Sequence, residues 1–224
     1  MKFENKQLLI FDLDGTLINS ALDLALAVNY MLEMLELEIF NEETIHGWVG
    51  NGALILVQRA LSGNRIIDET LDDIYVQHAL KIFLDFYEAN LCVVTKSYPH
   101  VVSTLQTLKE KGYILAIVTN KPYKFVEPIL NKLGLDGLFE LILGGDSLEK
   151  KKPDPLPLLH VCNSFNVGTL QSVMIGDSKN DILAANSCEM DSVGVTYGYN
   201  YGESIGVHKP TAIIDNFSLL LELL

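Results

Sequence analysis

Two hydrophobic rhythms alternate along this chain. Leu8-Leu9-Ile10-Phe11 is a continuous apolar run of strand length, and it ends in the polar stretch Asp12-Leu13-Asp14-Gly15-Thr16. From Ser20 the spacing changes: Ala21, Leu24, Ala25, Val28, Met31, Leu32 and Leu35 recur at three and four residues, one stripe of an amphipathic helix. Ser20 is placed to cap that helix, with Asp23 at its third position. Helical signal continues from Leu54 to Leu61 and from Leu71 to Tyr87. No strand candidate of comparable strength falls between Thr16 and about residue 90.

Beyond that point strands and helices alternate. A helix from about His100 to Lys111 leads into a strand from Tyr113 to Thr119, and one from Phe125 to Leu133 precedes a strand from Leu138 to Leu143. A helix from Pro155 to Phe165 precedes a strand from Val173 to Asp177, and one from Asp181 to Cys188 precedes a strand from Ser192 to Val195. Apolar strands separated by helices require a parallel sheet covered on both faces. The predicted class is α/β: a Rossmann-like doubly wound parallel sheet with an all-helical cap inserted after the first strand. The expected division is 1–18 and 92–224 for the core and 19–91 for the cap, with the return hinge near Lys96-Ser97-Tyr98-Pro99.

Composition narrows the partners. The chain has 224 residues, 49% of them apolar, and a net charge of −13, which argues against binding nucleic acid or an anionic membrane. An anionic substrate then needs a local positive site. Three widely spaced cysteines, Cys92, Cys162 and Cys188, suit a reducing compartment better than a disulfide or zinc framework. The opening Met1-Lys2-Phe3-Glu4-Asn5-Lys6 has no long apolar stretch behind it, and no run approaches the ~20 residues of a membrane span. A cytoplasmic protein is expected, and nothing in the sequence sets its oligomeric state.

The candidate chemistry sits at the predicted strand ends, where open parallel sheets bind ligands. In extended backbone Asp12 and Asp14 face the same side, and two close carboxylates share either a proton or a cation. A calcium loop does not fit, because glycine and glutamate are missing from its sixth and twelfth positions. Thr119 and Asn120 follow a second strand and Asp177 a third, while Lys152 precedes Pro153-Asp154-Pro155. The five histidines form no metal-ligand spacing.

These residues resemble the haloacid dehalogenase-like phosphohydrolases. The family's four motifs match Asp12-Leu13-Asp14-Gly15-Thr16, Thr119, Lys152 before Pro153, and Gly176-Asp177-Ser178-Lys179-Asn180-Asp181, in order and spacing, and the likeness covers essentially the whole chain. It implies an Asp12 nucleophile that forms an aspartyl phosphate, and Asp14 as the acid and base. Mg2+ would be held by Asp12, the Asp14 main-chain carbonyl and Asp177, an oxygen set that suits it. Thr119 and the amide of Asn120 would bind phosphoryl oxygen, and Lys152 would supply positive charge. Lys152 is preferred to Lys150 and Lys151 because the family lysine directly precedes proline. Thr119 taken alone also fits an ordinary strand end, the weaker of its two readings. For Asp181 two readings stay open, a metal contact through water or a helix cap.

Substrate identity is less explicit. Gly47-Trp48-Val49-Gly50-Asn51-Gly52 puts three glycines before a helix, where backbone N–H groups at Gly50 and Asn51 can face an anion or simply form a tight turn. Trp48 is more naturally a packing residue than a lid, and Arg59 an exposed helical arginine rather than a carboxylate ligand. Val49-Gly50-Asn51-Gly52-Ala53, together with the loop from Thr196 through Tyr197 and Tyr201 to Glu203, resembles the phosphoglycolate phosphatase branch. That likeness implies hydrolysis of 2-phosphoglycolate, a small phosphorylated metabolite. The alternatives are a sugar phosphatase, a pyrophosphatase or a phosphomutase of the same family, then a dehalogenase, and, from another class, a non-catalytic phospho-ligand binding module.

Overall fold

The computed structural model describes residues 2–224; Met1 and the side chain of Tyr201 lie outside the described residues. Six strands form one parallel sheet: β1 (Leu8–Phe11), β4 (Ile114–Val118), β5 (Leu141–Leu143), β6 (Ser172–Gly176), β7 (Asp191–Val195) and β8 (Ala212–Ile214). Their spatial order is β5-β4-β1-β6-β7-β8, so β1 lies inside the sheet with β4 on one side and β6 on the other. Phe11 is level with both Ile117 and Ile175. The chain builds outward from β4 to β5 and then returns past β1 to β6, which makes the end of β1 the topological switch point where a ligand crevice opens.

The alternation of side chains in β1 divides the core. Leu9 and Phe11 join the cluster that includes Val101, Leu105 and Phe217, whereas Leu8 and Ile10 join the one that includes Leu158, Val161 and Met174. All four are fully buried, as a strand covered on both faces requires. Helices α5 (Val101–Glu110), α6 (Tyr123–Leu133), α7 (Leu156–Phe165) and α8 (Lys179–Ser187) flank the sheet.

Between β1 and α5 the described residues form four helices: α1 (Ala21–Met34), α2 (Glu42–His46), α3 (Ala53–Ser62) and α4 (Asp73–Ala89). α1 packs against the other three, and α3 also packs against α4. The segments leading out of and back into the α/β part run side by side as a two-residue antiparallel pair, β2 (Ile18–Asn19) with β3 (Lys96–Ser97). A two-residue strand carries no periodicity, so neither was legible. The same applies to α2, and to the closing β8 and α9 (Leu220–Leu223).

α1 starts as expected, with Ser20 at the N-cap and Asp23 third in the helix, but the two side chains are used differently. Ser20 makes no capping bond; its hydroxyl donates to Asp14 Oδ1 instead. Asp23 accepts from the N–H groups of Val93, Val94 and Thr95 and from the Thr95 hydroxyl, so it fastens α1 to the returning segment. Among the described residues, no helix is long and apolar enough to cross a membrane.

Candidate active site

Asp12 follows β1 directly, and its N–H extends the ladder to the carbonyl of Ile175 at 2.9 Å. Two residues on, Asp14 lines the same cavity, while Leu13 between them is fully buried. Gly15 then turns the chain with φ +90°, and a Cβ there would lie 2.4 Å from Asp177 Oδ2, so side-chain-free backbone is required at this position. Thr16 donates its hydroxyl to Asp177 Oδ1 at 3.0 Å, which links the end of β1 to the end of β6.

Lys152 is 2% exposed and bridges two carboxylates, Asp12 Oδ1 at 2.8 Å and Asp181 Oδ1 at 2.6 Å. The other oxygen of Asp181 accepts from the Ser178 N–H at 3.0 Å and hydroxyl at 2.9 Å. Asp181 thus caps α8 and also faces the charge cluster. Asp12, Asp177 and Asp181, all buried, each offer an oxygen within 4.8 Å of the others. One ammonium thus stands among three buried carboxylates and bonds two of them, Asp12 and Asp181. Burial pushes Asp12 up to about 7, opposed by Lys152 and aided by Asp181 and Asp14. Burial also holds Asp177 well above the usual carboxylate range, with Asp12 and Asp181 adding to the rise. Burial alone would lower Lys152, but Asp12 and Asp181 raise it. An all-oxygen donor set with excess negative charge fits a hard divalent cation.

Asp14 differs from Asp12 in its partners. Its side chain receives the ammonium of Lys121, at 3.0 Å to Oδ1 and 3.1 Å to Oδ2, and the hydroxyl of Ser20. Lys121 is 5% exposed and lies 4.8 Å from the ring centre of Tyr87, on α4. It escaped the sequence reading because a lysine between Asn120 and Pro122, just past a strand, looks like a solvated loop residue. The available signal was its position two residues after Thr119, on the side of the sheet end that Thr119 faces. Thr119 is buried; its Oγ1 accepts from the Lys121 N–H at 3.2 Å.

The turn before α3 meets the core through carbonyl oxygens. Gly50 O accepts from the side-chain amides of Asn120 and Asn180, both at 3.1 Å, and Asn51 O accepts from Lys151 Nζ at 2.9 Å. Asn120 also donates to Lys152 O at 3.1 Å. Gly50 lines the cavity with Asp12, Asp14, Thr119 and Asn120, whereas Asn51 lies outside that lining. Trp48 is buried edge-on against Phe40. Arg59 is not an exposed helical arginine: it donates to Trp48 O at 2.6 Å and to Arg65 O at 3.1 Å and so braces the turn.

The tyrosine-glycine loop is neither a plain surface connection nor part of the cavity lining. Tyr197 donates to Thr16 O at 3.0 Å. The Tyr199 hydroxyl accepts from the N–H groups of Ser20 and Ala21, and the Tyr199 N–H donates to Asp177 Oδ2 at 2.7 Å. The loop holds Asp177 and the start of α1 together. The cavity is partly open and has about 50 Å³ of room, lined on its apolar side by Leu24, Val49, Leu56, Phe83 and Phe125. It has room for only a few water-sized groups.

A parallel sheet with carboxylates at its switch point and helices folded over them defines a class, and comparison with known proteins agrees with it. The chain belongs to the haloacid dehalogenase-like hydrolase family, whose model matches residues 9–195. Within that family it is similar to proteins named phosphoglycolate phosphatase. The one from Colwellia psychrerythraea is 54% identical over 99% of this chain and 98% of its own length. The one from Psychrobacter arcticus is 50% identical over 98% and 96%. The crystal structure of a predicted phosphoglycolate phosphatase from Haemophilus somnus superposes with a TM-score of 0.91 at 42% identity, covering 97% of each chain.

Proposed function

We propose that this protein is a magnesium-dependent phosphatase that hydrolyses 2-phosphoglycolate to glycolate and phosphate. The observation that carries the proposal is the convergence of Asp12, Asp14 and Thr119, at the ends of β1 and β4, in a small cavity lined also by the helical segment. Asp12 attacks phosphorus, and an aspartyl phosphate forms as the P–O bond to the alcohol breaks. Asp14 gives its proton to the departing alkoxide. It then takes one from the water that attacks phosphorus, which releases phosphate and restores Asp12. Thr119 donates its hydroxyl to a phosphoryl oxygen, with the Asn120 amide beside it, and Lys152 holds Asp12 in place and offsets phosphoryl charge.

Mg2+ would be held by Asp12, Asp177 and the main-chain carbonyl of Asp14, with Asp181 next to them; when bound it neutralises the repulsion between carboxylate and phosphate. Residues 19–91 act as the cap, and closing it over the bound substrate would exclude bulk water and large substrates. Three free cysteines suit the cytoplasm, where a small phosphorylated metabolite would be met.

The test is phosphate release from 2-phosphoglycolate, sugar phosphates and pyrophosphate, each with Mg2+ and with EDTA. Fastest turnover of phosphoglycolate, abolished by EDTA, is expected. Preference for a sugar phosphate or pyrophosphate would replace the substrate, and undiminished activity in EDTA would sink the metal assignment. Product that retains the phosphoryl group would mark a phosphomutase.

A further inference from the structure

Two polar groups of the cavity have no task in that mechanism. One is Lys121, the only cation among the described residues that line the cavity. The other is the hydroxyl of Tyr87, which lines the same cavity and is 2% exposed; the ammonium of Lys121 lies beside its oxygen, but its proton has no acceptor among the described residues. A buried hydroxyl without an acceptor is unusual and signals a missing partner. The remaining lining is largely apolar, so an anion entering there is stable only where a cation and donors meet it.

We propose that Lys121 and Tyr87 together form the subsite for the substrate's carboxylate, the ammonium and the phenol each donating a hydrogen bond to it. This rests on the phosphoglycolate reading and names the residues that select for a short phosphomonoester bearing a carboxylate. The ammonium already receives a carboxylate, that of Asp14, on both oxygens, so it faces the cavity in a geometry suited to that group. A lysine has three N–H donors, and the phenol adds one more. Lys121 comes from the loop after β4 and Tyr87 from α4, so a carboxylate bound between them ties the cap to the core. A phosphomonoester without a carboxylate leaves both donors unused.

The experiment compares kcat/KM for 2-phosphoglycolate with that for 2-hydroxyethyl phosphate, which has the same two-carbon leaving group but a hydroxymethyl in place of the carboxylate. In Lys121→Met the ratio between the two substrates falls by about 30-fold or more, the loss expected from removing one partner of a buried charge pair. Tyr87→Phe lowers it by about 3- to 10-fold, the worth of one hydrogen bond. Lys121→Arg retains more of the ratio than Lys121→Met does. If Lys121→Met slows both substrates in equal proportion, Lys121 acts only through Asp14 and the proposal is overturned. Should that variant not fold, an unchanged ratio in both Tyr87→Phe and Lys121→Arg overturns it. Failure of the phosphoglycolate reading looks different, because the unmodified protein would then show no preference between the two substrates.

Discussion

Two buried lysines meet the two carboxylates of one Asp-x-Asp pair, and their surroundings are not alike. Lys152 lies entirely within the core, between Asp12 and Asp181, with Asp177 nearby. Lys121 lies between the loop after β4 and helix α4, with Asp14 on one side and the Tyr87 ring on the other. On the first side carboxylates outnumber ammonium groups three to one, and Asp12 and Asp177 are pushed upward in pKa. On the second a single carboxylate faces a single ammonium. Burial alone would lower the pKa of Lys121, but Asp14 and Tyr87 prevail and raise it. The contrast separates two kinds of positive charge: one that offsets a surplus of carboxylates where phosphorus and metal would meet, and one held in balance where a substrate can exchange with Asp14.

The largest effect expected from this contrast is on the nucleophile. Asp12→Asn keeps a similar shape and should lower turnover by about 10⁴-fold or more, as loss of a covalent nucleophile does elsewhere. Its circular dichroism should match the unmodified protein. An active Asp12→Asn variant would mean that the Lys152 side is not where bond breaking occurs.

Next comes stability. Lys152→Met takes the ammonium away from two carboxylates, Asp12 and Asp181, of a buried cluster of three, and a broken buried pair costs about 3–5 kcal/mol. For a chain of this length that is a fall in Tm of roughly 6–20 °C in EDTA. Lys121→Met should lower Tm by less, since the Asp14 side chain is 13% exposed and keeps its bond to Ser20, while that of Asp181 is 1% exposed. Mg2+ should recover part of the loss in Lys152→Met and little in Lys121→Met. Equal losses in the two variants, with equal recovery, would erase the distinction between the sites.

The same contrast marks what the sequence could show. The sheet, its flanking helices and the strand-end carboxylates were legible because apolar runs and helical spacing are local patterns, and Lys152 was legible through its motif before Pro153. Lys121 was not, because burial of a loop lysine depends on Tyr87, which lies in a different part of the chain. Ser20 and Asp23 carried the pattern of a helix start, yet Ser20 donates to Asp14 and Asp23 binds backbone about seventy residues away. The supporting role of Tyr199 was equally hidden, since its hydroxyl holds the start of α1 across a large sequence separation. Short side chains with ambiguous polar partners are decided by tertiary contacts, which no window of sequence contains.

The smallest effect, and the one most specific to the crowded side, is the pH dependence of metal stabilisation. Without metal, Asp12 has a folded-state pKa of about 7 against 3.8 in the ordinary carboxylate, chiefly through burial. The folded protein therefore holds this proton more tightly than the unfolded chain does. That contribution to stability is fully present below pH 4 or so and is lost as pH rises through about 7. A divalent cation replaces the proton, so the gain in Tm on adding Mg2+ should grow by a few degrees between pH 5 and pH 8. Differential scanning fluorimetry at matched ionic strength measures it. Asp12→Asn cannot ionise there and should weaken the trend, leaving the part that Asp177 carries, whereas Lys121→Met should leave it in place because its carboxylate partner lies on the other side of the pair. A metal-induced gain independent of pH in the unmodified protein would show that Asp12 is already ionised without metal, and that the surplus charge is relieved elsewhere.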